Sequence, residues 1–228
     1  LDISGFDTKN VKGMSRMFQK CTKLQSIDVS KFNTSNVTSM DSMFSNCGEL
    51  KDIDVSNFDT SNVKYMSSMF GACPQLSTLD VSKFDTSNVI KMDYMFSGCK
   101  SLKSLDVSNN TRLQVLLCGD NEITNIDLSE NTKLEQLCIY RNNLVSLDVS
   151  KNIKLDILMC HQCNLSNLDI SNNKELKMLY CLDNNLDVLD VSNNTKLTRI
   201  WCSQNKLTYL DVSASPLLEM LKCEDNNI

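Results

Sequence analysis

The chain has 228 residues, 41% of them apolar, and its 28 acidic and 23 basic side chains give a formal net charge of -5. This reads as a soluble chain long enough to bury a sizeable core, and with lysines scattered among the acids nothing suggests a phosphate-binding or anionic-membrane surface. No apolar run is long enough to span a bilayer, the opening LDISGFDTKN lacks the basic start and apolar stretch of a secretory signal, and two prolines and six glycines leave no flexible linker.

In chain order, the tetrapeptide LDIS at Leu1 returns as IDVS at Ile27 and Ile53 and as LDVS at Leu79 and Leu105, a period of 26 residues. From Leu105 the anchor recurs at Ile126, Leu147, Leu168, Leu189 and Leu210, and the period is 21. The organisation is therefore one continuous solenoid, with four 26-residue repeats over 1–104 and five 21-residue repeats plus a partial sixth over 105–228. In LDVS the apolar residues alternate with polar ones, so an extended strand would turn leucine and valine inward, and stacked copies would form a parallel sheet. In the first half VxxMxxMFxxC has helical spacing after a capping-type TSN and predicts a short helical turn on the back of each coil. The shorter copies have no room for it; their LxxLxC segment alternates like a second strand. The expected fold is thus an α/β-type repeat solenoid, with helical turns behind the first half and mostly two-stranded coils in the second. LDVS, the one element common to both halves, is expected to stack unbroken.

Residues 159–164, MCHQCN, place two cysteines around the only histidine. Counted from the anchor, Cys160 shares an inward column with Cys118, Cys181, Cys202 and Cys223. Cys163 holds the turn column otherwise occupied by Asn121, Asn142, Asn184, Asn205 and Asn226, a structural ladder whose amides should bond neighbouring backbone. His161 follows Cys160 on a strand and points to the opposite face, which excludes a Cys-His dyad, and four converging zinc ligands are lacking. Neither a catalytic site, a metal nor a cofactor is expected. Cys21, Cys47, Cys73 and Cys99 recur once per 26-residue copy as a packing column, read as buried free thiols because side chains in such a column project in parallel. In LEQLCIYR, Ile139 takes the inward column, so Cys138 moves outward and is expected to be the exposed thiol. An aspartate follows every anchor. At ~4.8 Å a pair of like charges repels by about 1 kcal/mol even in water, so the ladder needs partners, which are expected in the next coil rather than in a calcium column.

Columns that repeat serve the fold, so recognition is sought in outward columns that vary. Beside the inward cysteine column stand Tyr140, Met159, His161, Met178, Tyr180, Arg199 and Trp201, which form the candidate ligand-binding face, with Tyr180 and Trp201 as stacked anchors. The alternatives are half-exposed sheet packing and a passive stalk that spaces other domains.

Residues 197–207, LTRIWCSQNKL, resemble the leucine-rich repeat core LxxLxLxxNxL, and such repeats cover essentially the whole chain. The first half is similar to the 26-residue repeats of BspA-like bacterial surface proteins, and the second to the 21-residue class called IRREKO. The resemblance implies a right-handed solenoid in an extracellular or surface-anchored, non-enzymatic parent. Its partners would be a host or matrix protein or a glycan, with neither nucleic acid nor membrane insertion. Between the two half-repeat patterns the sequence leaves open which face is concave. The chain opens and stops without a polar cap, from which a longer parent and end-to-end association of the uncapped ends are expected.

Overall fold

The LxxLxC-type segments of the 21-residue coils, with Ile139 in the cysteine place once, alternate inward and outward, and in the computed structural model these segments form the sheet. The structure describes residues 1–228 except Thr78, Ser82, Ile90, Lys91 and Ser101. Six strands, β1 (Val115–Leu117), β2 (Gln136–Cys138), β3 (Ile157–Met159), β4 (Met178–Tyr180), β5 (Arg199–Trp201) and β6 (Met220–Lys222), pair in parallel in sequence order. The register advances by one repeat per strand, so Leu116, Leu137, Leu158, Leu179, Ile200 and Leu221 share one inward row. The result is a right-handed parallel solenoid around one continuous core.

Three features correct the expected fold. No helix occurs among the described residues. In the first half the amides of Met14, Arg16, Phe18 and Lys20 donate to the carbonyls of Ser39, Asp41, Met43 and Ser45 in the next coil at 2.8–2.9 Å. The intervening amides of Met17, Gln19 and Cys21 turn back onto Met14, Arg16 and Phe18. This ribbon of tight turns has an apolar spacing of three to four residues, which imitates a helix in the sequence. A helix would spend all its amides on its own carbonyls, whereas here every second amide ties one coil to the next. The geometry puts Arg16 and Lys20 at φ 62° and 60°, and Ser42 and Asn46 at 57° and 61°. Left-handed backbone costs roughly 1–2 kcal/mol per residue, offset by the inter-coil bonds and by burial of Met40, Met43 and Phe44 at 0% exposure. Phe18, Phe44 and Phe70 stack in a spine, with centroids 5.4 and 5.7 Å apart.

The second correction concerns LDVS. Its third residue is buried, as at Val107, Val149 and Val191, but no strand forms there among the described residues, and the 21-residue coils are one-stranded. The third is the reason. The anchor aspartate accepts the amide of the serine two residues on, at 2.8–2.9 Å, in a local turn found between Asp2 and Asp211 in every coil whose serine is described. The aspartates are therefore satisfied within their own coil, not by the next one. The serine amides and hydroxyls hold these carboxyls below their ordinary 3.8, outweighing repulsion along the ladder.

Two polar columns hold the coils together. Thr34 and Thr60 donate Oγ1–H to the Asp59 and Asp85 carbonyls in the following coil, 2.9 Å each. In the second half Asn131, Asn152, Asn173 and Asn194 take over, each fully buried and donating Nδ2–H to two carbonyls of the preceding coil. Asn110, donating to Thr86 Oγ1 at 2.6 Å, joins the two sets.

The other column runs through both halves. Cys47, Cys73 and Cys99 donate S–H to the carbonyls of Phe18, Phe44 and Phe70 at 3.1–3.2 Å. Asn121 makes the corresponding bond to Phe96 and Asn142 to Cys118, at 2.9 and 3.1 Å. Cys163 follows with S–H to Ile139 at 3.2 Å, and Asn184, Asn205 and Asn226 complete the series. A thiol supplies one donor, whereas the amide also accepts: Asn142 Oδ1 takes the Ile123 N–H at 2.9 Å. Among the described residues no partner serves the Leu144 N–H, which faces Cys163 in the equivalent place. Replacing Cys163→Asn should therefore raise stability by about 0.5–1.5 kcal/mol, while Asn173→Ala, which removes two buried inter-coil hydrogen bonds to the Val149 and Asn152 carbonyls, should lower it by about 1–3 kcal/mol. Urea unfolding of the two variants checks both signs.

Candidate functional site

The outward side chains of β1–β6 and the residue two positions beyond each strand form a face that differs from coil to coil. Strand register sets Tyr180 opposite Trp201 and Met178 opposite Arg199. Alternation keeps Leu179 and Ile200 between them at 0% exposure.

Two ring assemblies occupy this face. Tyr140 lies across Gly119, where a side-chain Cβ would come within 2.6 Å of the ring, so only glycine admits it. Its other side stacks on His161 at 4.7 Å and 2°. Three coils thus contribute one layered unit. Its rim is polar: Arg141 pairs with Asp120 at 3.2 Å and donates Nε–H to Gln162 at 2.8 Å, and Gln162 donates to Asp183 at 2.8 Å. Burial first, then the Arg141 charge, pushes the His161 imidazole below its ordinary 6.5.

In the second assembly Tyr180 and Trp201 meet edge to face, 4.7 Å apart at 78°. This replaces the flat stacked platform expected from their shared column. Tyr180 is 9% exposed, packed by its neighbours, while Trp201 stays half-buried. The indole donates Nε1–H to Met220 Sδ at 3.2 Å, and Lys222 Nζ sits 4.2 Å from the ring centre. Met159, Met178 and Arg199 are half-buried beside these rings.

Cys138 is also corrected. It points outward yet is 8% exposed, because Leu117 and Met159 flank it in register, and burial pushes its thiol to about 11. Burial also raises Cys160, Cys181 and Cys118. All eleven cysteines are free, and only Cys21 and Cys223 are partly open. The column of Asn131, Asn152, Asn173 and Asn194 escaped the reading of the sequence, although asparagine recurs there in LDVSNNTKL and LDISNNKEL. No group of three or more His, Cys, Asp or Glu side chains that could hold a metal occurs among the described residues, nor any helix long and apolar enough to cross a membrane.

Residues 67–188 match the family profile described as the BspA type leucine-rich repeat region, and residues 1–110 match a Mycoplasma protein family of unknown function. The BspA-type match therefore straddles the change of period rather than falling on the 26-residue half. No curated protein matches the chain. Among solved structures, the internalin InlF of Listeria monocytogenes is 17% identical with a TM-score of 0.59, covering 83% of this chain and 58% of its own. A leucine-rich repeat protein of Leptospira interrogans is 18% identical with a TM-score of 0.53, covering 89% and 64%. The functional domain of InlJ of Listeria monocytogenes is 23% identical with a TM-score of 0.43, covering 90% and 59%. The chain thus spans about three fifths of the length of these proteins.

Two measurements probe the face. Native labelling with a thiol reagent at pH 8 should modify Cys21 and Cys223 first and leave Cys138 slow, as mass mapping will show. Acid should act in two steps. The unfolded state protonates His161 near 6.5 before the folded state does, so stability falls as pH drops through and below 6.5. The anchor aspartates stabilise the fold above 3.8 and lose that contribution as pH falls through their lower folded values. Melting temperatures between pH 7 and 2.5 should show both steps, and His161→Gln should remove only the first.

Proposed function

This chain belongs to the BspA-type leucine-rich repeat family, and on that premise we propose that it is a non-catalytic recognition module of a bacterial surface protein. It binds a protein partner across the outward columns of β1–β6, with Met159, Met178, Arg199 and Trp201 as the contact set and the Tyr140–His161 stack beside them. The division at Leu105 into BspA-like 26-residue coils and IRREKO-type 21-residue coils is part of the same reading. It is supported by inter-coil bridges that step by 26 residues at Ser39 and Tyr65 and by 21 at Ser104 and Asn125.

One observation carries the proposal. The opposite, LDVS side repeats aspartate and serine in every coil and spends them on local turns, whereas the sheet side changes composition from coil to coil and leaves large apolar and aromatic side chains half open. Partly exposed aromatic, methionine and arginine side chains on a rigid sheet match the composition of interface anchors, and their low mobility reduces the entropy lost on binding. Surface location is supported by the fold shared with internalin InlF.

A second reading, a rigid spacer, draws on the Thr/Asn column, which runs from Thr34 to Asn194, and on the Cys/Asn column, which would stiffen any stalk. An array of host proteins, matrix proteins and glycans, probed with the chain and with a folded Met159→Ala, Trp201→Ala variant, separates the two. Truncating central anchors should weaken a protein partner by at least about 2 kcal/mol, about thirtyfold, and Trp201 emission should shift to the blue in the wild-type complex. Undiminished binding by the variant moves the site elsewhere. A glycan partner would replace the protein reading, and silence across the array favours the spacer.

A further inference from the structure

Where the coil length drops from 26 to 21, a notch of about 490 Å³ opens away from the ring assemblies. Four successive coils line it, among them Lys64 of the third, Met92 and Asp93 of the fourth, Arg112 and Leu113 of the fifth and Lys133 of the sixth. Its floor is apolar: Met92 and Leu113 are 5% and 7% exposed. Its rim carries three exposed cations against the carboxylate of Asp93.

The rim is thus net positive in a chain of net charge -5. Arg141, Lys177 and Lys196 are each paired with a carboxylate of the preceding coil. Lys64, Arg112 and Lys133 have no such pair among the described residues. Arg112 is also held in place: its Nη1–H donates to the Ser87 carbonyl at 2.7 Å across the join, which orients the remaining guanidinium N–H groups towards a ligand.

We propose that this notch is a docking site for an acidic peptide segment of a partner protein, whose carboxylates meet Arg112, Lys64 and Lys133 while a neighbouring aliphatic side chain covers Met92 and Leu113. The chemistry favours a peptide over an anionic glycan. A sulfated or carboxylated sugar would satisfy the cations, but no aromatic ring lines the notch to receive a sugar face, and the buried methionine and leucine floor matches an aliphatic side chain. Rim charges of this kind steer encounter and fix register, so binding should weaken as salt rises.

The test uses a fluorescein-labelled octapeptide alternating glutamate with leucine and valine, titrated by anisotropy into the full chain at low salt. Saturable binding is expected, weakening at least tenfold when sodium chloride is raised from 50 to 500 mM, and absent for the peptide with glutamine in place of glutamate. Arg112→Glu with Lys133→Glu should lose at least tenfold in affinity. Should that pair perturb folding by circular dichroism, Arg112→Ala and Lys133→Ala carry the same expectation with a smaller loss. Lys196→Glu, a charge reversal outside the notch, should bind as wild type, and so should Trp201→Ala, which keeps this site distinct from the ring face. The proposal is overturned if the acidic peptide does not bind, if the glutamine peptide binds equally, or if Lys196→Glu loses as much as the notch variants. It is likewise overturned if a heparin-derived oligosaccharide binds more tightly than the peptide and depends on Arg112 and Lys133.

Discussion

Each coil of a solenoid turns through its own core, and the carbonyls at that turn are buried where water cannot reach them. The structure depends on satisfying them once per coil. One column does so from the first half to the last coil, and it uses two chemistries for the same bond. In the long coils the donor is a thiol, as at Cys47 and Cys73; in the short coils it is a carboxamide, as at Asn142 and Asn205. Cys163 is the member of the short-coil series that keeps the thiol. The pair of cysteines around His161 is thus two structural columns seen side by side, with Cys160 in the core and Cys163 at the turn.

The same constraint explains the left-handed residues. Lys20, Asn46, Ala72 and Gly98 precede the column in the long coils, and Asp120, Arg141, Gln162, Asp183, Gln204 and Asp225 precede it in the short ones, all with positive φ. The backbone must reverse there so that the donor side chain points inwards and its carbonyl target lies in the preceding coil. The bond from the Gly98 amide to the Gly119 carbonyl, at 3.0 Å, carries the ladder across the change of period. Five residues are lost at that join without breaking the core, and the mismatch in circumference accompanies the basic notch.

On the proposed reading, recognition is left to what the columns do not use. Aspartate and serine on the LDVS side are committed to turns, and the inward rows are committed to packing. The freedom that remains lies in the outward positions of the sheet and at the join, where Trp201, Met159 and Arg112 stand. A rigid support with a few variable positions limits the entropy lost when a partner binds, and it also means that outward does not imply exposed. Cys138 and Tyr180 point away from the core, yet neighbours in register cover them.

The repeat lengths, the change at Leu105, the inward rows and the asparagine turn column were legible in the amino-acid sequence, because periodicity and alternation are one-dimensional properties. The choice between helix and turn was not. VxxMxxMFxxC is compatible with both, and the decision rests on where the Arg16, Phe18 and Lys20 amides find acceptors, which is 25 residues away in the next coil. LDVS alternates like a strand, but a local bond from the serine amide to its aspartate, present in every coil whose serine is described, pre-empts pairing. Cys47 and Cys163 look unrelated by spacing from their anchors and occupy one column only because the coils stack. Local pattern therefore determined which side chains face the core. The path of the backbone between them, and the accessibility of the outward ones, were decided by contacts between coils.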